Sequence, residues 1–481
     1  MSAEWERGGH VPGRGRALAV LSLSLLNVFA VAAGLAVVKL TPDRRLSPQP
    51  PSVAARDLVR IAPSSAAIPA AEPGSGRPPD PSALAGRLSA LIGGPQAKIN
   101  AVVVDAETRR PLYELRAGQP ATPASTTKLA TSVAALASAG PAHRITTRVV
   151  RGAGDGIILV GGGDPTLTAL PPRAGAGHPP YASLADLARQ TAMALKASGA
   201  GQAGAGQVRV DYDASAYQGP RTAAGWKPNY LPDGEVAPVS ALTVDEGRVA
   251  PSDPSRKTRV SDPPAAAARE FARLLSKNGV GARAGRSTVA QKEAVQLGAV
   301  QSPPMSALVE HLLTDSDNDV AEAVARQVAI KLGRPATFAD AAQAVRQVLA
   351  GLGVAEGVSV NDGSGLSPLN RISPIALARI VSLAAGGDHP ELRPVITGLP
   401  IAGFSGTLSP PRYTVAASQG GAGMVRAKTG TLAGVSTLAG LAYDADGRLL
   451  AFAFMAGDGK GPVDPGKLDQ LAAAVATCGC G

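Results

Sequence analysis

The sequence predicts an α+β protein in which a β-rich segment is inserted into a domain built from strands and helices. Residues near 100 and after 425 have the β-branched and apolar pattern of strands, and amphipathic helical stretches lie between them. From about residue 142 to residue 302 the pattern changes, because short β-type runs alternate there with turns rich in Gly and Pro. The 481 residues are enough for two or three domains.

The first 81 residues do not have the pattern of a folded domain. Residues 1–16 are polar and carry arginines, which predicts a cytoplasmic N-terminus. Residues 17–40 are largely apolar and long enough to span a bilayer, so they predict either a transmembrane signal anchor or a signal peptide. Residues 41–81 are rich in Pro, Ser and Ala and predict a disordered linker. Either interpretation of residues 17–40 places the rest of the chain outside the cytoplasm.

The folded part is predicted to start at residue 82. An amphipathic helix over residues 82–92 precedes a hairpin with strands at 99–105 and 112–115. Pro123 cannot lie inside a helix, so it marks the start of a helix over residues 124–139, which contain neither Gly nor Pro.

The later elements divide the chain into an inserted domain, residues 142–302, and a domain formed by residues 82–141 and 303–481. Within the insert the pattern predicts strands at 146–150, 157–160, 207–210 and 258–260, and helices at 184–197 and 265–277. After the insert it predicts helices at 305–313, 318–332, 338–349, 374–385 and 467–476, and strands at 425–431, 435–443 and 449–456.

The composition argues against several classes of function. The net charge is +10, but the basic residues are spread out and aromatic residues make up only 3%, so the sequence predicts no nucleic-acid binding. An anionic cell surface or membrane suits this charge better. The five histidines lack the spacing of metal ligands, and no glycine-rich segment matches a nucleotide-binding fingerprint, so we predict no metal and no cofactor.

The two cysteines, Cys478 and Cys480, lie in the C-terminal tail. Their spacing is not the C-x-x-C of a zinc or thioredoxin site. A disulfide between them, an intermolecular link and an inert tail all remain open.

Three short motifs carry the candidate chemistry, and each has an ordinary structural explanation when taken alone. Ser125 and Lys128 are three residues apart, so on a helix they lie on one face about a turn apart. A hydroxyl beside an amine at a helix N-terminus has the parts of an activated nucleophile. An N-cap serine followed by an exposed lysine has the same pattern.

The other two motifs lie far along the chain. Ser316-Asp317-Asn318 precedes a predicted helix, where Ser316 and Asp319 also match a capping box. Lys428-Thr429-Gly430 lies in a predicted strand near its turn. S-x-x-K, S-D-N and K-T-G in this order are the set found in class A β-lactamases and penicillin-binding proteins, so the combination favours an active site over three coincidences.

The chain resembles the D-alanyl-D-alanine carboxypeptidase/endopeptidases of the low-molecular-mass class C penicillin-binding proteins. The resemblance runs from about residue 82 to the end, and beyond the motifs it includes residues 159–167, 237–242, 315–322, 362–366, 405–408 and 428–435. It implies a penicillin-recognising serine transferase fold, with a five-stranded antiparallel sheet packed with helices and an all-helical lobe. It also implies that residues 82–141 and 303–481 form a DD-peptidase catalytic domain that the insert interrupts.

The resemblance further implies a serine DD-peptidase that cleaves D-alanyl-D-alanine, or D-alanyl cross-links, of peptidoglycan stem peptides through an acyl-enzyme on Ser125. β-Lactams mimic the acyl-D-alanyl-D-alanine unit, so they are expected to acylate Ser125 as covalent inhibitors. The implied location is extracytoplasmic, either anchored to the cytoplasmic membrane by the N-terminal segment or secreted to the cell wall.

Each motif residue receives an expected role from this resemblance. Ser125 is the nucleophile and Lys128 its base, which must be partly neutral; desolvation and the nearby charge of Lys428 favour that form. The remaining roles are proton relay to the leaving amine for Ser316, orientation of Lys128 and the substrate amide for Asn318, and binding of the substrate and its carboxylate for Lys428, Thr429, Gly430 and Thr431. The backbone N–H groups of Ser125 and Thr431 are the expected oxyanion hole.

Two alternatives remain. A catalytically silent, cell-wall-binding scaffold of the same fold would be expected to have lost a motif residue, whereas all are present. A class A β-lactamase deacylates with a glutamate on an extended loop, and no matching Glu-x-x-x-Asn lies between the motifs. Glu322 follows the S-D-N motif, and we expect it to have a structural role.

Overall fold

The computed structural model describes residues 76–93, 98–171, 180–199, 207–253 and 255–481. The predicted cytoplasmic segment, the predicted membrane segment and nearly all of the predicted linker lie outside these ranges. Within them, no helix has both the length and the apolar character that crossing a bilayer requires.

The secondary structure follows the predicted order closely. The helices are α1 (Pro81–Ile92), α2 (Thr127–Ala139), α3 (Leu184–Ala197), α4 (Pro263–Lys277), α5 (Met305–Thr314), α6 (Asn318–Lys331), α7 (Phe338–Gly351), α8 (Pro374–Ala385), α9 (Arg393–Thr397) and α10 (Gly466–Ala476). The strands are β1 (Ile99–Asp105), β2 (Pro111–Leu115), β3 (Thr146–Arg151), β4 (Ile157–Val160), β5 (Val208–Asp213), β6 (Ala282–Ser287), β7 (Gln296–Gln301), β8 (Val358–Ser359), β9 (Arg371–Ile372), β10 (Val425–Leu432), β11 (Val435–Tyr443) and β12 (Leu449–Ala456).

The first sheet joins the two ends of the described chain. Its five strands lie in the order β10-β11-β12-β1-β2, and every neighbouring pair is antiparallel. β1 is therefore an inner strand, paired on one side with β2 and on the other with β12, where Ile99 lies opposite Ala456.

Both faces of this sheet are covered by helices. Side chains alternate between the faces of a strand, so Val102 and Val104 of β1 point to one side while Ala101 and Val103 point to the other. The first pair is buried in a core with α2, α5, α6, α7 and α8. The second pair is buried with α1 and α10. Two cores thus hold the sheet, and α2 lies inside the larger one with ten buried residues.

The insert has its own sheet and its own core. Five strands lie in the order β6-β5-β4-β3-β7, with parallel pairing between β4, β5 and β6 and antiparallel pairing elsewhere. α3 and α4 pack on this sheet through a core that contains Leu187, Phe271 and Leu275.

The predicted strand at residues 258–260 is wrong. These residues form only an isolated bridge between Arg248 and Arg259, and the side chain of Arg259 is buried in ion pairs instead of facing a sheet. β6 and β7 were not predicted, because Ala-Arg-Ala-Gly-Arg-Ser and Gln-Leu-Gly-Ala-Val-Gln have little apolar alternation. Both are edge strands of the insert sheet, where a side chain need not be buried.

The C-terminal tail returns to the start of the folded part. Cys478 is disulfide-bonded to Cys480, so of the three states left open for the pair the structure has the mutual disulfide. The carbonyl of Cys480 accepts a hydrogen bond from the amide of Asp80, whose carboxylate caps α1.

Candidate active site

Ser125 lies in a short 3₁₀ turn, Ala124–Thr126, that leads directly into α2. The turn is pressed between β10 and the loop of residues 362–370. A Cβ atom added to Gly430 of β10 would lie 2.9 Å from the amide nitrogen of Ser125, and one added to Gly365 would lie 1.9 Å from the carbonyl oxygen of Ala124. Only glycine leaves room for the turn on both sides, so these two residues set the position of the Ser125 backbone.

Ser125 is not the N-cap serine of the alternative explanation for this motif. The helix proper begins at Thr127, its N-cap position is Thr126, and the N-cap side chain makes no capping hydrogen bond. The Oγ of Ser125 instead accepts a hydrogen bond from Nζ of Lys128 at 3.0 Å. Because Ser125 lies in a 3₁₀ turn before the helix, its hydroxyl is not used for capping and can accept the hydrogen bond from Lys128.

Lys128 is completely buried on the inner face of α2. Its Nζ donates to Oδ1 of Asn318 at 2.7 Å and to the carbonyl oxygen of Ser364 at 2.8 Å, in addition to Ser125. Burial lowers the pKa of Lys128 to about 8, although the charges of Asp317, Asp362 and Glu322 act in the opposite direction. The amine therefore has an appreciable neutral fraction near pH 7 to 8, as a base requires.

The SDN loop (residues 315–318) leads from α5 into α6: it supplies Ser316, and Asn318 at its end is the first residue of α6. The capping box that Ser316 and Asp319 match, the alternative explanation of this motif, does not form: the N-cap of α6 is Asp317, whose carboxylate accepts from the amide of Val320 at 2.9 Å. Ser316 has a left-handed backbone, with φ of 61°, and the N-cap position of α6 falls on Asp317 instead, one residue later. Within the described chain, Nζ of Lys128 donates to Ser125, Asn318 and Ser364. Ser316, two residues before Asn318, has no hydrogen bond to that amine.

The loop of residues 362–370 completes the surroundings of Lys128. Sequence reasoning assigned no role to it, although residues 362–366 belong to the family resemblance. Asp362 accepts from the amides of Gly365 and Ser367 and from the indole of Trp226, which fixes the loop. Glu322 accepts from the amides of Gly363 and Ser364, which points the Ser364 carbonyl toward Lys128.

Glu322 is thus part of the scaffold behind the site. It is completely buried, lies 3.8 Å from Arg326, and holds backbone amides. Among the described residues, Lys128 is the hydrogen-bond partner of the Ser125 hydroxyl, and Glu322 does not reach it.

The opposite wall is β10. Lys428 is completely buried and donates to the carbonyl of Thr429 at 2.9 Å, while Oγ1 of Thr429 lies 2.7 Å from Oγ1 of Thr407. Burial, then the charges of Lys128 and Arg412, hold the pKa of Lys428 well below its usual range. Thr431 follows on the same strand and is exposed. Neither Thr407 nor Arg412 was assigned a role from the sequence: residues 405–408 belong to the family resemblance without a stated function, and nothing marks a lone arginine as part of a site.

This arrangement has the parts of covalent acyl transfer. A serine hydroxyl is hydrogen-bonded to a buried amine of lowered pKa, and a third group, Asn318, orients that amine. A second buried lysine lies on the facing strand, where an anionic part of a substrate would be attracted. The candidate nucleophile and base, which are three residues apart, therefore meet a candidate orienting group from a distant part of the sequence.

Comparison with known proteins identifies the family of the chain. The family model of D-Ala-D-Ala carboxypeptidase 3 (S13) matches residues 84–258 and 252–477. The chain is 37% identical over 443 residues to a carboxypeptidase of Mycobacterium tuberculosis, covering 90% of this chain and 89% of that protein. It is 34% identical over 481 residues to carboxypeptidase DacB of Mycolicibacterium smegmatis, covering 99% of each.

Among solved structures, penicillin binding protein 4 of Haemophilus influenzae superposes with a TM-score of 0.62 at 20% identity, over 82% of this chain and 98% of that one. The same protein has been solved in complex with a β-lactam, with a TM-score of 0.59 to this chain, 20% identity and the same shares covered. At this identity the similarity establishes the fold, and the predicted penicillin-recognising α+β fold is confirmed. By sequence, the chain belongs to the D-Ala-D-Ala carboxypeptidase 3 (S13) family of serine hydrolases.

Proposed function

We propose that this protein is a serine DD-peptidase that cleaves D-alanyl-D-alanine bonds of peptidoglycan stem peptides through an acyl-enzyme on Ser125. The observation that carries the proposal is the contact of 3.0 Å between the Ser125 hydroxyl and a completely buried Lys128 that Asn318 orients. Family membership supports the substrate class, because the matching model describes D-Ala-D-Ala carboxypeptidases.

In the first step, Oγ of Ser125 attacks the carbonyl carbon of the penultimate D-alanine while its proton passes to neutral Lys128. The tetrahedral oxyanion would accept hydrogen bonds from the backbone N–H groups of Ser125 and Thr431. The close approach of Gly430 to the Ser125 amide supports this pairing, because it brings the two chain segments together.

Collapse of this intermediate breaks the peptide bond and releases the terminal D-alanine, whose amine takes up a proton. We assign that proton to Lys128, with Ser316 as the relay. Water then attacks the ester carbonyl on Ser125 and gives a proton to Lys128. Cleavage of the bond between the acyl carbon and Oγ releases the shortened stem peptide with a new carboxyl group, and the proton returns from Lys128 to Oγ of Ser125, so the free serine is restored. Asn318 contributes by holding Lys128 and by offering its amide group to the substrate.

The carboxylate of the terminal D-alanine is proposed to bind at β10, to Lys428 and the Thr429 hydroxyl, with Gly430 and Thr431 lining the same strand. The burial of Lys428 supports this role, since a buried amine gains most from an anionic partner. Two further residues would complete the carboxylate site: Thr407, whose hydroxyl lies 2.7 Å from that of Thr429, and Arg412, whose charge helps to lower the pKa of Lys428.

β-Lactams are expected to acylate Ser125, because they mimic the acyl-D-alanyl-D-alanine unit. A fluorescent penicillin should label the purified full-length chain, and Ser125→Ala should not be labelled. Since the Ser125 hydroxyl does not cap the helix, this variant should lose only about 1 kcal/mol of stability. An unlabelled wild type, or equal labelling of both proteins, would support the silent scaffold.

A second experiment separates the activities that attack a D-alanyl bond. The full-length chain is incubated with a stem pentapeptide and with a cross-linked stem-peptide dimer, and products are measured by mass. Release of D-alanine establishes carboxypeptidase activity, and cleavage of the dimer establishes endopeptidase activity. Rapid turnover of the penicillin itself would instead indicate a β-lactamase, for which the described structure offers no carboxylate bonded to Ser125.

We further propose that residues 82–141 and 303–481 form the catalytic domain, that residues 142–302 are inserted into it, and that the enzyme acts outside the cytoplasm. The substrate class supports this location, since stem peptides lie there. Anchoring by residues 17–40 is part of the proposal. Cell fractionation tests it: the protein should be found in the membrane or wall fraction and be degraded by external protease once the wall is opened.

A further inference from the structure

Two turns that face each other beside the site both contain non-glycine residues with a left-handed backbone. One is the insert turn (Asp245–Gly247), where Asp245 and Glu246 have φ of 51° and 52°. The other is the SDN loop, where Ser316 has φ of 61°. Such conformations persist only where the surrounding structure holds them, and they occur most often at functional sites.

Arg259 of the insert is the group that ties the two turns together. Its side chain is only 5% exposed. Its guanidinium lies 3.2 Å from the carboxylate of Glu246 in the insert turn and 3.1 Å from that of Asp319, which directly follows the SDN loop. It also donates to the carbonyl oxygens of Glu246 at 2.6 Å and Gly234 at 3.4 Å. One buried cation therefore holds three chain segments.

These contacts continue to Asn318. The segment that begins at Gly234 accepts a hydrogen bond from Nδ2 of Asn318 through the carbonyl of Glu235, at 2.8 Å. Two residues later, the amide of Ala237 donates to Asp319 at 2.8 Å. Asn318 is thus held on one side by the insert and on the other binds Lys128 at 2.7 Å.

We propose that Arg259 is a positioning residue for the reaction: through Asp319 and the backbone of residues 234–237 it fixes Asn318, and Asn318 fixes Lys128 against Ser125. The insert is then a structural part of the active site, although the described hydrogen bonds of Ser125 and Lys128 go to residues outside it. The inference rests on the proposed function, because it assigns Lys128 and Asn318 to the acylation step.

A metal ion is a competing explanation for the same cluster. Ligand atoms of Glu246, His311 and Asp317 lie within 4.8 Å of one another. However, Arg248 and Arg259 both contact Glu246, and His311 already lies 2.9 Å from Asp315 and 3.5 Å from Asp317. The cationic side chains thus neutralise the carboxylates, which is the role a metal ion would otherwise have.

The test compares Arg259→Gln with Arg248→Gln in the full-length chain. Arg248 is a matched control, because it contacts Glu246 from the same turn but makes no contact with Asp319 or Gly234 in the described structure. Stopped-flow acylation by a fluorescent penicillin gives the rate constant of acylation, the dissociation constant of the initial complex and the fraction of chains labelled at the end.

Arg259→Gln should lower the acylation rate constant about a hundredfold, the size of effect that a small misplacement of catalytic groups produces. The dissociation constant should stay close to that of the wild type, since β10 forms the opposite wall, and the final labelled fraction should be unchanged. Arg248→Gln should acylate like the wild type. Arg259→Lys should recover part of the rate, because an ammonium can reach Asp319 but cannot also hold Glu246 and Gly234.

Asp319→Asn provides a second route if Arg259→Gln does not fold. The amide oxygen can still accept from Ala237, but an NH2 group replaces the oxygen that Arg259 binds, so acylation should slow in the same way. In the double variant the two effects should not add. Equal rate constants for Arg259→Gln and Arg248→Gln, or a smaller labelled fraction with a normal rate, would overturn the inference. A wild type that is not labelled would contradict the proposed function instead.

Discussion

Gly430 lies so close to Ser125 that a Cβ atom at residue 430 would be 2.9 Å from the Ser125 amide nitrogen and 2.2 Å from Oγ1 of Thr437. The same Oγ1 donates to the carbonyl of Pro123 at 2.7 Å, so the backbone just before the 3₁₀ turn that contains Ser125 is hydrogen-bonded to the sheet. The position of Ser125, the proposed nucleophile, is therefore set by the close packing of Gly430 and by the Thr437 hydroxyl, independently of Lys128 and Asn318.

Gly430→Ala should abolish or strongly reduce acylation by penicillin. The added methyl group must displace either β10 or the 3₁₀ turn that contains Ser125. Overpacking of this kind costs about 1–3 kcal/mol of stability. Labelling kinetics and thermal unfolding measure the two effects. Gly86→Ala is the control: Gly86 lies in α1 with nothing within 4 Å of the added Cβ, so the change should stabilise by about 0.5–1 kcal/mol and leave labelling intact. Normal labelling of Gly430→Ala would contradict the proposed role of this contact.

The rate of acylation should rise with pH and level off above about pH 8. Lys128 must be neutral to accept the Ser125 proton, and its pKa is lowered to about 8, so the neutral fraction grows through that pH. The pH dependence of penicillin acylation measures the midpoint. Lys128→Arg should be inactive at every pH in this range, because a guanidinium remains protonated. A rate that falls between pH 6 and pH 8 would exclude Lys128 as the base.

Binding of a substrate carboxylate should be accompanied by uptake of protons. The pKa of Lys428 lies well below its usual range in the free protein, and an anion placed beside it stabilises the ammonium form and raises that pKa. Calorimetry of a non-hydrolysed D-alanyl ligand, repeated in buffers of different ionisation enthalpy, gives the number of protons taken up. Thr429→Val is a useful comparison, because it removes a hydroxyl from the same site but should leave the proton uptake in place. Binding without proton uptake would show that Lys428 is already charged.

Glu322→Gln should destabilise the protein and slow acylation together. A glutamine retains one acceptor oxygen for the amides of Gly363 and Ser364. It leaves the buried Arg326 without its partner charge, however, and this should lower the free energy of unfolding by about 1–3 kcal/mol. The Ser364 carbonyl would then hold Lys128 less firmly. Denaturant unfolding and acylation kinetics measure the two effects. If the variant keeps normal acylation but fails only to release the penicilloyl group, Glu322 has a deacylating role and its structural assignment is wrong.

Much of this fold was predictable because local signals agreed with the final packing. The helix at residues 184–197 was predicted with its observed bounds, since Ser183 caps it and its apolar residues share one face. β10, β11 and β12 were predicted as apolar runs separated by turns. β6 and β7 were not, because edge strands do not need an apolar pattern.

The site was predictable to the extent that its chemistry depends on side-chain identity. Ser125, Lys128, Asn318 and Lys428 belong to spaced motifs, and the structure brings the first three into contact. The carbonyl of Ser364 is a main-chain atom, so no residue type marks it. The left-handed backbone of Ser316 was not foreseen either, and it explains why Asp317 caps α6 in place of Ser316. The contact of Arg259 with Asp319 joins residues far apart in sequence, which a single sequence does not reveal.

The pairing of β1 with β12 also bears on the order in which the chain can fold. β1 is made early, but it is an inner strand whose second partner, β12, is made much later. The insert has a sheet and a core of its own, so it can form while the sheet that carries Lys428 is still incomplete. A chain that stops before β12 exposes one edge of β1, and it leaves β11 and β10 without the strand that joins them to the rest of the sheet. Completion of the sheet that carries the proposed catalytic residue Lys428 must therefore wait until β12 has been synthesised, and intermediates that still expose the edge of β1 are the stage at which chaperones would be needed.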